Sequence, residues 1–204
     1  MTPLTSLILN CTLKRSPAPS NSEALARVVG AALAEGGATY ELIRVVDHVV
    51  HAGVSTDEGD GDEWPRIHEK ILAAEILVLA TPIWLGQPSS VAKRVLERMD
   101  AMLSETDADG RPVAFNRVAG FVVTGNEDGA HHVVAELAQG LGDIGYTVPG
   151  QSSTYWHLGP GPGPDYLDET KGHEWAHRTG RNAAANLIAV AHALRAHGMP
   201  VPES

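Results

Sequence analysis

Hydrophobic and polar positions follow two different patterns along this chain. Short, nearly continuous apolar runs occur in LTSLILN (4–10), EILVLATP (75–82) and RVAGFVVTG (117–125). Such runs are typical of strands that are buried on both faces of a sheet. Between them lie longer stretches in which apolar residues recur at helical spacing, as in SEALARVVGAALAEGG (22–37). The pattern therefore predicts strands that alternate with helices.

The predicted elements follow one another without an internal repeat. In chain order they are a strand at 4–10, a helix at 22–37, a strand at 39–47, a helix at 64–74, a strand at 75–82, a helix at 89–103, a strand at 117–125, a helix at 131–145, a short strand at 146–150 and a helix from 173 to about 197. Alternation of this kind predicts one α/β domain over 1–204, with a five-stranded parallel sheet covered by helices on both faces. The segment 151–172 is predicted to be irregular and lid-like.

In such a sheet, ligands bind beyond the carboxyl ends of the strands. The loop after the first strand, NCTLKRSPAPSNS, is rich in hydroxyl groups and contains Lys14 and Arg15. Hydroxyl groups and free N–H groups at the start of a helix suit a phosphate. An alternative is that Asn21 or Ser22 only caps the following helix. The loop is neither a Walker loop nor G-x-G-x-x-G, which lowers the support for ATP or a Rossmann-bound dinucleotide.

The loops after the third and fourth predicted strands differ in character from the first. TPIWLGQPSS places Trp84 between a proline and a glycine, where its indole would form an apolar plate for a flat ring. An alternative is that Trp84 packs against the neighbouring helix. TGNEDGAHH offers polar groups and two glycines, which suit the polar edge of a ring. Together the three loops indicate a ligand with a phosphate, a linker and an aromatic ring, a description that fits FMN.

With these loops the chain resembles the flavodoxin-like NAD(P)H-dependent FMN reductases and related quinone reductases, through NCTLK…SNS and TPIWLGQPSSVAKRVLERM. The resemblance implies a flavodoxin-like doubly wound fold and bound FMN, with NAD(P)H as reductant. It implies transfer of a hydride through FMN to a small-molecule acceptor such as a quinone, flavin, azo or nitroaromatic compound. It also implies a homodimer or homotetramer. Cys11 stands where this family usually has glycine.

The cofactor-binding residues implied by the resemblance lie in all three loops. For the phosphate loop they are Thr12, Lys14, Ser20, Asn21 and Ser22; for the ring loop Pro82, Ile83, Trp84, Leu85 and Gly86; and for the third loop Thr124, Gly125, Asn126, Asp128 and Gly129. No protein side chain is expected to act as a catalytic acid or base, because the flavin carries the reaction. Substrate-side candidates are His131, Tyr155 and Trp156, although a solvated histidine and a packed tryptophan are equally simple interpretations.

Charge and cysteine content narrow the partners further. The chain has 25 acidic against 15 basic residues, a formal net charge of −10. This charge offers no basic face for nucleic acid and would repel anionic membrane surfaces. A single cysteine excludes an internal disulfide and the cysteine cluster of iron–sulfur flavoproteins. The N-terminal sequence has no basic region before its apolar run, which predicts a cytoplasmic protein without a signal peptide.

The sequence HEWAH (173–177) matches the H-E-x-x-H motif of zinc peptidases. The longer form of that motif needs a third histidine at the position of Ala183, and His192 lies more than two helical turns beyond the pair. We therefore expect the first turn of the last helix here, with a zinc peptidase as a remote alternative. Two further functions are compatible with the same order of elements, a flavodoxin-type electron carrier and a noncatalytic nucleotide-binding domain.

Overall fold

The apolar runs of the sequence form a parallel sheet in the computed structural model, which describes residues 2–202. The parallel strands, in chain order, are β1 (Leu4–Asn10), β2 (Ala38–Arg44), β3 (Ile76–Trp84), β5 (Val118–Thr124) and β6 (Ser153–Trp156); β4 (Gln87–Pro88) pairs only with the end of β3, antiparallel to it. The spatial order is β2-β1-β3-β5-β6, which is the flavodoxin-like order of a doubly wound sheet. This confirms the predicted fold class.

The helices cover the sheet on both faces. They are α1 (Asn21–Glu35), α2 (Trp64–Ala73), α3 (Ser90–Met99), α4 (Ala130–Ile144) and α5 (His173–Ala196). Because side chains alternate across a strand, Leu7 and Leu9 of β1 pack with α2, α3 and α4, whereas Ile8 packs with α1 and α5. Every position of β1 and β5 except Thr5 is buried, as continuous apolar runs require.

Several element boundaries differ from the sequence predictions. The second strand ends at Arg44, and Val45–Asp47 form a 3₁₀ turn instead of its last residues. The third strand runs on to Trp84, so that most of the predicted ring loop belongs to a strand. The third helix ends at Met99 and continues as a 3₁₀ turn over Asp100–Ser104.

The last strand of the sheet lies further along the chain than the sequence pattern predicts. In the predicted strand at 146–150, Thr147 makes only an isolated bridge to Val118. Pro149 has no N–H group to donate within that stretch. The strand beside β5 is instead Ser153–Trp156, inside the segment predicted to be irregular. Buried and partly exposed positions alternate along this strand. Because the buried Thr154 is polar, the alternation does not appear as a pattern of apolar residues in the sequence.

No helix within residues 2–202 is both long enough and apolar enough to span a membrane.

Candidate functional site

The loop after β1 is organised by its own polar side chains. Asn10 accepts a hydrogen bond from the Thr12 backbone N–H (3.3 Å), and the Thr12 hydroxyl accepts one from the Lys14 N–H (3.3 Å). Ser20, and not Asn21 or Ser22, caps α1 by accepting from the Glu23 N–H (3.2 Å). The cap therefore leaves the side chains of the first helical turn available for other contacts.

Arg44, at the end of β2, holds this loop from the side. Its guanidinium donates to the carbonyl oxygens of Ala18 (2.8 Å) and Lys14 (3.2 Å) and forms an ion pair with Glu23 (2.6 Å). Burial raises the pKa of Glu23, but hydrogen bonds from Arg44 and Arg27 outweigh that effect and leave this pKa below its usual value. Sequence reasoning missed Arg44, because its position before a turn does not reveal the loop that it contacts.

A narrow cavity lies between this loop and the ends of β3 and β5. It is lined by Thr12, Leu13, Lys14, Asn21, Ser22, Pro82, Ile83, Trp84, Thr124, Gly125, Asn126, Asp165 and Tyr166. Residues from all three predicted loops thus meet at one place, at the carboxyl ends of the strands. The hydroxyl groups of Ser22 and Thr124 are 2.9 Å apart in its wall, and both are buried.

The ring loop is a tight two-residue hairpin. Leu85 and Gly86 have positive φ angles of 52° and 74°, as in the turns that connect short antiparallel strands. Trp84 is 51% exposed and lines the cavity, so it is not a buried core residue. Leu85 is 90% exposed, and its N–H donates to the Glu127 carboxylate (2.5 Å). Glu127 thereby joins the ring loop to the loop after β5.

Five of the predicted cofactor residues do not line the cavity. Ser20 is the helix cap, and Leu85, Gly86, Asp128 and Gly129 lie in the hairpin and in the loop after β5 but outside the cavity lining. Gly129 (φ 116°) packs so closely on the hairpin that a Cβ there would lie 2.8 Å from the Gly86 Cα. These glycines therefore shape the wall by allowing the two loops to approach each other.

The segment after β6 closes one side of the cavity; it lies within the stretch predicted to be lid-like, but its cavity-lining residues were not among the predicted site residues. Gly163 donates to the Asn126 carbonyl (2.7 Å), and the Leu167 N–H donates to the Asn21 side chain (3.1 Å). A Cβ at Gly161 would lie 2.5 Å from the Asn126 carbonyl oxygen, so this close contact requires glycine. Asp165 and Tyr166 of the segment line the cavity directly.

The two histidines of HEWAH contact Tyr166. His177 Nε2 lies 2.7 Å from the Tyr166 hydroxyl, and His173 Nε2 lies 2.9 Å from the Tyr166 carbonyl oxygen. The His173 ring also stacks on the Tyr166 ring at 4.0 Å. Within residues 2–202, no group of three or more His, Cys, Asp and Glu side chains is placed to hold a metal ion. The four-residue spacing of the two histidines places both of them on the face of α5 that contacts Tyr166.

The substrate-side candidates lie beside this segment but have different roles. Trp156 is 2% exposed, donates to the Lys171 carbonyl (2.8 Å) and packs on Tyr166, so it is a core residue. Tyr155 stacks on His157 and meets His131 edge-on at 5.1 Å. Tyr155 and His131 therefore form an aromatic patch that does not line the cavity.

The chemistry of the cavity fits FMN. Asn21 and Ser22 place amide and hydroxyl groups at the start of α1, and the loop after β1 adds the Thr12 hydroxyl and the positive charge of Lys14. This set of groups suits a phosphate. The half-exposed Trp84 offers an apolar plate near the other end. The cavity measures about 70 Å³, whereas pockets for ligands of this size have roughly 300–1,000 Å³. With the segment that carries Tyr166 in its present position, the cavity therefore has room for only part of such a group.

The chain is similar to known proteins in both sequence and structure. The family model of NADPH-dependent FMN reductase matches residues 6–159. The 8-demethyl-8-aminoriboflavin-5′-phosphate synthase of Streptomyces davaonensis is 40% identical over 176 residues, which cover 81% of this chain and 68% of that protein. The divalent metal cation transporter MntH of Mycobacterium bovis is 40% identical over 200 residues, which cover 95% of this chain. The chain spans only 29% of the length of that second relative.

Among solved structures, RosB with the bound intermediate 8-demethyl-8-formylriboflavin-5′-phosphate superposes with a TM-score of 0.88. It is 37% identical, and the alignment covers 95% of this chain and 81% of that chain. The likeness therefore extends to the end of the segment after β6 and to α5, which lie beyond the family match.

Proposed function

Since this chain belongs to the NADPH-dependent FMN reductase family, we propose that it transfers a hydride from NAD(P)H through bound FMN to a small-molecule acceptor. Membership of the family supports a flavin-dependent oxidoreductase that uses FMN as cofactor, and it is the reason for proposing NAD(P)H as the reductant. The acceptor class is our proposal: a quinone, a free flavin, an azo compound or a nitroaromatic compound.

The observation that carries the proposal is the convergence of three loops on one cavity. The start of α1, the end of β3 and the end of β5 supply its walls, and the Ser22–Thr124 contact joins two of them. This is the switch point of the strand order, where open α/β sheets bind ligands. The polar groups at the start of α1 match the phosphate end of FMN. Trp84, the apolar plate at the hairpin, matches its ring end.

FMN supplies the hydride chemistry when it is bound. The protein would then hold the phosphate through Thr12, Lys14, Asn21 and Ser22, and would cover one ring face with Trp84. Gly125 and Asn126 would present backbone groups to the ring edge. We expect no side chain to act as a catalytic acid or base.

We further propose that the segment 157–172 acts as a lid. It contributes Asp165 and Tyr166 to the cavity, and hydrogen bonds at Gly163 and Leu167 connect it to two of the site loops. An outward shift would admit the flavin, and Tyr166 would then cover part of it. The lid expected from the sequence stays a prediction until the motion is measured.

The deciding experiment is an anaerobic titration followed by visible absorption. Purified protein is loaded with FMN, desalted and mixed with NADH or NADPH. We expect the flavin band to be retained and then bleached, and its recovery on adding a quinone would establish turnover. If the band is retained but neither nucleotide bleaches it, the reductase proposal is wrong, and a flavodoxin-type electron carrier explains the site better.

A second candidate follows from the similarity to proteins that act on riboflavin phosphates. The Streptomyces synthase is 40% identical to this chain, and RosB holds a formyl derivative of riboflavin phosphate. In this candidate the bound flavin phosphate is a substrate, not a permanent cofactor. Mass spectrometry of the flavin released after turnover distinguishes the two, because a cofactor keeps its mass and a substrate does not.

We also propose a homodimer or homotetramer as the working form. The site lies open along the hairpin, where Trp84 and Leu85 are exposed apolar residues that a second copy would cover. Light scattering at several concentrations measures the assembly directly, and a monomer throughout would contradict this proposal.

A further inference from the structure

A second and larger recess lies outside the flavin cavity. It measures about 530 Å³ and is formed by the loop after β2, the first two turns of α3 and Arg15. Its floor contains Val45, Val46, Val49 and Val50, and its rim contains Arg15, Arg94, His48 and His51. None of its residues lines the flavin cavity. We call it the basic cleft.

The rim of the basic cleft is positive, although the chain as a whole is strongly negative. Within residues 2–202, Arg15, Arg94 and His51 have no carboxylate within ion-pair distance. Arg94 donates one hydrogen bond, from Nη1 to the Val50 carbonyl (3.0 Å), which leaves its other N–H groups free. Unpaired guanidinium groups that converge on one recess favour an anion there.

The acidic groups near the cleft already have partners. Asp47 accepts from the Ser16 N–H (2.8 Å) and hydroxyl (2.6 Å). Glu63 accepts from the Val49 N–H (2.7 Å) and lies 3.5 Å from His48 Nδ1. The carboxylates are therefore held outside the recess, and the two arginines determine its charge.

The loop that forms the cleft is held in place by Arg98 of α3. The buried guanidinium of Arg98 pairs with buried Asp62 at 2.7 Å, and both side chains are fully enclosed. Arg98 also donates to the carbonyl oxygens of His51, Ser55 and Thr56 at 3.0, 3.0 and 3.2 Å. This network orders a loop that has no role in the flavin cavity. A pre-ordered loop lowers the entropy cost of binding a ligand.

From the unpaired arginines, the valine floor and the ordered loop, we propose that the basic cleft binds an organic anion, a carboxylate or phosphate carried on an apolar body. The anionic group would pair with Arg15 and Arg94, and the apolar body would cover Val46 and Val49. An inorganic anion would leave the valines exposed to water, and a neutral apolar compound would leave both guanidinium groups unpaired.

Calorimetry with simple probes tests the cleft. The full chain, saturated with FMN so that the flavin cavity is filled, is titrated with 2-naphthoate, with neutral 2-naphthamide and with inorganic phosphate. We expect naphthoate to bind and both other probes to bind at least about tenfold more weakly, since hydrogen bonds to charged groups contribute that much or more. Equal binding of the amide, equal binding of phosphate, or no binding of naphthoate would each overturn the proposal.

Three variants locate the bound anion. Arg94→Gln and Arg15→Gln should each weaken naphthoate binding about tenfold. Lys93→Gln removes the same charge from the same helix outside the cleft and should leave binding unchanged. Trp84→Ala alters the flavin cavity and should also leave it unchanged. If Arg94→Gln binds like Lys93→Gln, or if Trp84→Ala abolishes binding, the anion binds elsewhere and the cleft assignment is wrong.

Discussion

Among the single residues of the first loop, some side chains build the loop and others are available for binding. Asn10, Ser20 and Arg44 make hydrogen bonds that hold the loop in shape. The Lys14 ammonium has no hydrogen-bond or ion-pair partner in residues 2–202, although Lys14 lines the cavity. A cation without a partner beside a helix start is suited to a phosphate.

Replacing Lys14 by glutamine should weaken FMN binding by about tenfold, since a charged hydrogen bond contributes about 1.5 kcal/mol or more. Riboflavin has no phosphate, and its affinity should stay the same. Quenching of flavin fluorescence measures both affinities. Lys93→Gln serves as the control for charge alone, and an equal loss for riboflavin would show that Lys14 does not contact the phosphate.

His177 contacts Tyr166 of the proposed lid, so its protonation state is expected to affect how firmly the lid is held. Burial lowers its pKa, and the nearby His173 and Arg181 lower it further. The folded state therefore favours neutral His177, whose Nε2 can accept a hydrogen bond from the Tyr166 hydroxyl. The stability that neutral His177 adds to the folded state is fully present above the ordinary histidine pKa. It is lost as the pH falls through the lower pKa that His177 has in the folded protein.

Acidification from about pH 7 to about pH 5 should therefore loosen the lid and speed the release of FMN. Glutamine at position 177 can still accept from Tyr166 but does not titrate, so His177→Gln should remove this pH dependence while keeping slow release. Stopped-flow fluorescence gives the release rates. A pH dependence that is unchanged in the variant would assign it to another group.

Among the elements, the loop between β2 and α2 depends on one buried ion pair. Burial raises the pKa of Asp62, but hydrogen bonds from Arg98 and from backbone N–H groups outweigh it and hold this pKa far below its usual range. Ionised Asp62 therefore stabilises the fold above its unfolded pKa, and this stability is lost as the pH falls through the folded value.

Asp62→Asn should lower the free energy of unfolding by about 3–5 kcal/mol, because it leaves the Arg98 charge buried without a partner. Urea unfolding followed by circular dichroism measures the loss. The control is Glu41→Gln, which breaks the exposed pair with Lys70 and should cost at most about 1 kcal/mol. Equal losses in the two variants would mean that the buried pair gives no special stability.

Across the whole molecule, the flavin cavity joins both halves of the sheet. Its walls come from α1, β3, β5 and the segment before α5, so a ligand bound there contacts elements from most of the chain. A ligand that binds only the folded state stabilises all of these elements together.

FMN at about a hundred times its dissociation constant should raise the melting temperature by roughly 5–10 °C, equivalent to about 2.7 kcal/mol. Circular dichroism at the helix wavelength follows the transition without interference from flavin fluorescence. Riboflavin at the same concentration should have a smaller effect, since it lacks the phosphate. If neither flavin shifts the transition, the cavity does not bind flavin in the folded protein.

The fold class and most of the cavity follow from the order of residues alone. Strands and helices that pack in a core need apolar residues at their buried positions. The spacing of apolar residues along the sequence therefore predicts these elements. For the same reason β1 and β5 were predicted to within a residue or so at each end. The loops after β1, β3 and β5 were predicted as the site because parallel strands bring their carboxyl ends to one edge.

The side chains from outside those loops could be assigned to the site only in the folded chain. The chain's return after β6 brings Tyr166 to the cavity, and α5 brings His173 and His177 to Tyr166. These contacts depend on long-range packing and have no local pattern in the sequence. The position of β6 also could not be predicted from local sequence. Its buried Thr154 donates a hydrogen bond to the Ala176 carbonyl of α5, so a polar residue occupies a position where an apolar one is expected. Local sequence encodes which positions must be buried, whereas the partners of those positions come from distant parts of the chain.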